Sequence, residues 1–239
     1  MAVIRRVFHS LFTFRNSSWQ TNRIGKLFSK SHKYDELVTL YTHMADNGFK
    51  RSDGQEVTPE NVFSQVQATS YRDSIKDVLG HFSCKSALDY GAGGGRWDEV
   101  ELPEGGNLQS FLELDLVNRF EPARGETGKV KSDVVMCFDV LEHVFLADIP
   151  YVVEELFRLA NQIVIVNVAC YPAAALLPNG ENAHISVRPA EWWLGVFDTI
   201  GCLYPSIAYT LYTSAEFNKA TYHGVRRMSN VVNAEGYTR

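Results

Sequence analysis

Apolar residues in this chain follow two rhythms that alternate along its length. Between Lys33 and Asn47 they recur at Leu37, Leu40, Tyr41 and Met44, a spacing that predicts an amphipathic helix. A polar run from Asn47 to Glu60, broken by Gly48, Gly54 and Pro59, predicts a loop. A second helix is predicted over Thr69–Gly80, with Ser74, Ile75, Val78 and Leu79 on its inner side and Gly80 as its stop. The rhythm then changes. Ser86–Tyr90 is a short apolar strand, Asn107–Leu116 a helix with Leu108, Phe111, Leu112 and Leu116 on one side, and Val117–Phe120 a second strand. Ser132–Phe138 is a strongly apolar strand and Ile149–Ala160 a helix. Ile163–Ala169 is apolar nearly throughout, as a strand covered on both faces must be. Ala190–Ile200 is helical and Ser206–Thr213 strand-like. Strand and helix in alternation predict an α/β domain with a largely parallel sheet.

Composition fits that picture. The 239 residues are 45% hydrophobic and 21% charged, enough for one core plus some extra length. Three parts are expected: a basic arm over 1–33, a helical lead-in or cap over 34–85, and the α/β domain over 86–239. The arm carries Arg5, Arg6, Arg15, Arg23, Lys26, Lys30 and Lys33 with no acid, while the remainder holds 16 basic against 28 acidic residues. The arm's Arg- and Ser-containing composition is that of an organellar leader, a lipid-touching arm or a nucleic-acid contact; a leader packed on the domain is the plain alternative. No apolar stretch has the length of a membrane span. Cys84, Cys137, Cys170 and Cys202 form no C-x-x-C pair and read as reduced thiols of a cytoplasmic protein.

The candidate chemistry gathers at strand ends. Asp89-Tyr90-Gly91-Ala92-Gly93-Gly94-Gly95 follows the first strand directly. Glycines there let the backbone turn sharply and approach a ligand at the carboxyl edge of the sheet. The acid in front of them repels a pyrophosphate and attracts a cation. The run also lacks the Lys-Ser/Thr ending of a phosphate loop. A second acid is expected after the next strand to bind ribose hydroxyls. Glu113, Asp115 and Glu121 are candidates, and Glu121 is favoured because it ends Val117–Phe120 and precedes Pro122. Asp139, Glu142 and His143 end the strand Ser132–Phe138 and face the same edge.

Leu88–Gly95 and Asp133–Val144 resemble the first and fourth motifs of class I S-adenosylmethionine-dependent methyltransferases. Asn167–Pro172, Leu177–His184 and Arg188–Trp193 resemble a bacterial and phage-associated methyltransferase-like group, in which Phe120-Glu121-Pro122 matches a Tyr-Asp-Pro element. The resemblance spans Ser86–Thr213. It implies a Rossmann-like fold with a mostly parallel sheet, helices on both faces and an N-terminal helical extension. It also implies S-adenosylmethionine as cofactor, held by Asp89, Tyr90, Gly91, Ala92, Gly93, Glu121 and Asp139. About ten residues separate Glu121 from Ser132, so the third-strand region is short and no adenine-binding acid is assigned.

The expected reaction is methyl transfer to a hydroxyl or amine of a small-molecule or glycan-type acceptor. Two alternatives stand beside it: a catalytically inactive binding module on the same fold, and a metal-dependent 2′-O-type nucleic-acid methyltransferase. The acidic body argues against a long nucleic acid. His143, His184 and Glu142 are the candidate catalytic residues, since an acceptor must lose a proton and histidine titrates near neutrality. Asp139, Glu142, His143 and a distant His184 are also similar to the ligand set of metal-dependent hydroxyl methyltransferases. A divalent ion is the less favoured reading, and no metal ligand is assigned. Arg188 is read as an anion contact or a partner of Glu181 or Glu191. Of Trp192 and Trp193, one should lie in the core.

Overall fold

Residues 86–90, 132–138 and 163–169 are largely buried on both faces, and their strands form the middle of one sheet. The computed structural model describes residues 27–217 and 219–228. The basic arm upstream of residue 27 lies outside the described residues. In chain order the elements are α1 (His32–Asn47), a hairpin of β1 (Phe49–Lys50) and β2 (Glu56–Val57), α2 (Arg72–Phe82), β3 (Ser86–Tyr90), α3 (Leu108–Phe111) and β4 (Leu116–Phe120). Then follow β5 (Ser132–Phe138), α4 (Ile149–Leu159), β6 (Ala160–Ala169), α5 (Ala190–Gly201), β7 (Ala208–Glu216) and β8 (Lys219–Arg226).

The main sheet runs β4-β3-β5-β6-β7-β8, parallel except for β8, which pairs antiparallel with β7. β3 pairs with β4 on one side and β5 on the other, so the chain reverses its direction of travel across the sheet there. That reversal opens a crevice beyond the carboxyl ends of β3, β4 and β5, the place where open α/β sheets bind ligands.

The strands' alternation sends successive side chains to two cores. Val135, Cys137, Val164, Val166 and Leu211 pack with Val152, Leu156, Trp193 and Phe197 of α4 and α5. Val134, Met136, Ile163 and Ile165 pack with Ile75 and Leu79 of α2 and with Leu108 beside them. A third, smaller cluster joins Leu37 and Met44 of α1 to Leu177 and Ala183 above the crevice. The lead-in therefore divides: α2 is built into the sheet's flank, while α1 and the hairpin roof the crevice.

Several expected boundaries move for physical reasons. The helix expected over Asn107–Leu116 is shorter. A capping box between Asn107 and Ser110 starts it, and Glu113 at φ 57° turns the chain back. Leu116 is therefore the first residue of β4 instead of the last of a helix. Between β4 and β5 there is a 3₁₀ turn, Pro122–Arg124, and no strand among the described residues. The loop expected before Glu60 contains the short β1–β2 hairpin. β6 begins at Ala160, directly after α4. β8 was not anticipated, because its outward side chains leave no apolar alternation. Among the described residues no helix is long and apolar enough to cross a membrane.

Candidate functional site

A cavity of about 980 Å³ fills the crevice. Residues of the glycine loop, the ends of β4 and β5, α1, and the segments around Phe63 and Tyr171 line it.

The glycine loop is held from three sides. Gly91 and Ala92 donate N–H bonds to Phe120 O (2.7 and 3.1 Å), and Gly94 donates to Phe63 O (2.8 Å). Arg119, in β4, reaches under the loop and donates to the carbonyls of Gly93 (3.0 Å) and Gly95 while pairing with Glu126. Gly91 sits at φ +81°, and a Cβ there would lie 2.2 Å from Val140 Cγ2. At Gly93 a Cβ would lie 2.6 Å from Phe63 O. These two glycines are thus required by the protein's own close packing as well as by the turn.

Three carboxylates face the cavity. Asp89 is buried. Desolvation raises its carboxyl to about 7, and the Arg119 guanidinium and a Trp97 hydrogen bond offset only part of that rise. Glu121 accepts from Gly93 N–H (2.9 Å) and Ala123 N–H (3.0 Å), yet burial still raises it. Asp139, in the left-handed region at φ 52°, is raised to about 6 by burial, against a Gln67 hydrogen bond that lowers it. Arg51 is the one Lys or Arg among the described residues lining this cavity. The other two candidate acids, Glu113 and Asp115, are exposed and line no part of it.

The opposite end lies under α1. Tyr41 donates its hydroxyl to Ala183 O (2.9 Å) and lies 2.7 Å from His143 Nδ1, which is itself 3.0 Å from the same carbonyl. His184 Nδ1 lies 2.5 Å from Tyr171 O. Burial, with a contribution from His184, lowers His143 to about 3, and burial also lowers His184. Both rings are therefore neutral at physiological pH. They offer lone pairs but hold protons weakly. Glu142 is wholly buried, with Oε1 accepting from Ala169 N–H (2.7 Å) and Oε2 without a hydrogen-bond partner. Burial and the nearby Asp139 raise its carboxyl far above the usual range.

The residues singled out from sequence thus form two groups on one crevice. Asp89, Tyr90, Gly91, Ala92, Gly93, Glu121 and Asp139 line the glycine-loop end, and His143 and His184 line the α1 end. Glu142 sits behind the histidines. The OH of Tyr90 points away, into a bond with Glu155 (2.7 Å). Arg188 donates to Val187 O and forms no ion pair with Glu181 or Glu191. Trp193 is fully buried in the core, and Trp192 packs at its edge. Arg119 and Tyr41 were not singled out. Arg119 reads as an ordinary solvated charge of a short strand, and Tyr41 as one more apolar position of a helix. Comparison of the chain with protein-family models, with curated proteins and with solved structures finds no match.

Proposed function

We propose that the chain is an S-adenosylmethionine-dependent methyltransferase acting on a hydroxyl or amine of a small acceptor. The observation that carries this reading is the trio of buried acids. Asp89, Glu121 and Asp139 share one cavity at the sheet's switch point, and burial pushes each toward protonation, more than the nearby Arg119 and Arg124 offset at the first two. Such a site favours a cationic ligand and disfavours a pyrophosphate. S-adenosylmethionine, when bound, supplies a methyl group on a positive sulfur that leaves as a neutral thioether.

In this reading Asp89 and Asp139 hold the cofactor's positive groups, and the Glu121 carboxylate, fixed by two backbone N–H bonds, accepts from its hydroxyls. Arg119 keeps the loop in register beneath it. The acceptor occupies the far end, beside His143, His184, Tyr41, Phe49 and Phe63. The roof's apolar side chains favour a small molecule with an apolar body over a glycan or a nucleic-acid strand. The cavity's volume, near the upper end of ordinary ligand pockets, leaves room for two ligands.

Calorimetric titration with S-adenosylmethionine tests this. Binding a cation shifts buried carboxyls to their charged form, so affinity should rise with pH through the range from about 6 to about 7 set by Asp139 and Asp89, then level off. The expected gain is about tenfold between pH 5.5 and 8 for one group titrating. A pH-independent affinity, or binding of a nicotinamide dinucleotide in its place, overturns the reading.

A further inference from the structure

The acids of the glycine loop leave the α1 end of the cavity unexplained. There one ligand atom from each of Glu142, His143 and His184 lies within 4.8 Å of the others. We propose that these three residues form a binding site for a divalent transition-metal ion, through Glu142 Oε2 and the Nε2 atoms of both histidines, with its open positions facing the cavity.

Hydrogen bonding fixes which atoms are free. A carbonyl only accepts, so the contact between His184 Nδ1 and Tyr171 O places the proton on Nδ1 and leaves the Nε2 lone pair bare. The same logic holds at His143. Tyr41 spends its single proton on Ala183 O, so the proton between Nδ1 and both oxygens belongs to the ring. Two imidazoles from separate parts of the chain, the turn after β5 and the segment after β6, are thus oriented by backbone carbonyls with lone pairs outward. That is how metal-ligating histidines are ordinarily held.

Glu142 supplies an independent observation. Its Oε1 is fixed by the Ala169 N–H, but Oε2 is buried with no donor of any kind. A buried carboxylate oxygen without a partner is costly, and a cation removes that cost. Ligands about 2.0 Å from a tetrahedral ion lie about 3.3 Å apart, so a cluster whose ligand atoms lie within 4.8 Å of one another must draw in to take the ion. Two imidazoles and one carboxylate suit zinc, iron or cobalt better than magnesium, which takes oxygen ligands. Asp139 is not one of the three. Three protein ligands leave positions open, and His143 and His184 border the cavity, so a bound ion would face an acceptor oxygen or nitrogen directly.

This inference uses none of the cofactor-end acids, and its test needs no cofactor. The full chain is loaded with Co²⁺ and dialysed. The expected result is about one equivalent retained per chain, with visible ligand-field absorption that Zn²⁺ displaces. His184→Ala should abolish retention. Tyr41→Phe, which removes only the orienting phenol, should weaken it about tenfold. His81→Ala, at an exposed histidine elsewhere, should change nothing. Circular dichroism confirms that each variant is folded. Retention of far less than one equivalent by the parent protein, or equal retention by folded His184→Ala, overturns the proposal, and either result leaves the cofactor reading standing.

Discussion

Asp89 shows how a single residue trades stability for affinity. It is only 7% exposed, and burial sets its carboxyl near 7 against an ordinary 3.8. The folded state therefore binds a proton that the unfolded chain has released. Stability from this group is complete below about pH 4 and is lost as pH rises through 7. Asp89→Asn removes that loss. Relative to the parent it should gain roughly 2.5 kcal/mol between pH 5 and pH 8, the part of the loss that falls in that interval at about 1.4 kcal/mol per unit. It should at the same time bind S-adenosylmethionine more weakly. Melting temperatures of the two proteins at both pH values check this, and an unchanged difference between them contradicts it. At Gly91 the cost is steric. Gly91→Ala adds a Cβ 2.2 Å from Val140 Cγ2 at a φ of +81°. A loss of ~2–4 kcal/mol is expected from strain and clash together. Val140→Ala removes both γ-methyls, so the double variant should recover about 1 kcal/mol or more beyond additivity, a coupling that denaturant unfolding of the four proteins measures.

At the scale of elements, legibility followed burial. β3 and β5 have the expected bounds because both faces of each strand are covered, and their apolar runs stop where the cover stops. α1 and α5 were legible from their 3.6-residue period, to within a residue. Elements whose identity rests on hydrogen bonds were not. α3 owes its end to a left-handed Glu113, and its return to the sheet to the bond from Asp115 N–H to Lys85 O. Neither leaves a pattern of hydrophobicity. β6 hid its start behind Asn161 and Gln162, whose polar side chains masked a strand paired from Ala160. The candidate site divides in the same way. The acids and glycines were legible because strand ends and turns concentrate them. Arg119 was not, because its role lies in carbonyls of a loop some 25 residues earlier in the chain. Glu121, expected to meet a ligand, also ties that loop to the end of β4 through Gly93 N–H. β4 thus contributes to the site mainly by clamping it.

Over the whole molecule, the roof of the cavity is anchored to the layer behind the sheet. Two buried carboxylates, one just before α4 and one at its middle, turn toward the lead-in. Asp148 accepts from Ser31 N–H (2.6 Å) and Ser31 Oγ (2.9 Å). Glu154 accepts from Leu27 N–H (2.9 Å) and Phe28 N–H (3.0 Å). Backbone donors held by a carboxylate form strong, directional bonds. They fix where α1 begins, and Tyr34 then packs edge-on against Tyr151 of α4 while lining the cavity. Ligand-binding roofs are commonly elements of low local stability, and this one is tied down at its first turn. Asp148→Ala removes both bonds to Ser31 and should cost ~1–3 kcal/mol. The loss should be local. Trypsin should cut faster at Lys30 and Lys33, while the sheet's global unfolding transition shifts little. Because the same strap positions Tyr34 and α1 over the crevice, affinity for a ligand in the cavity should fall together with protection from cleavage. Limited proteolysis and calorimetry on one preparation separate the two effects. Faster cleavage with unchanged affinity would mean that the strap stabilises the chain without shaping the site.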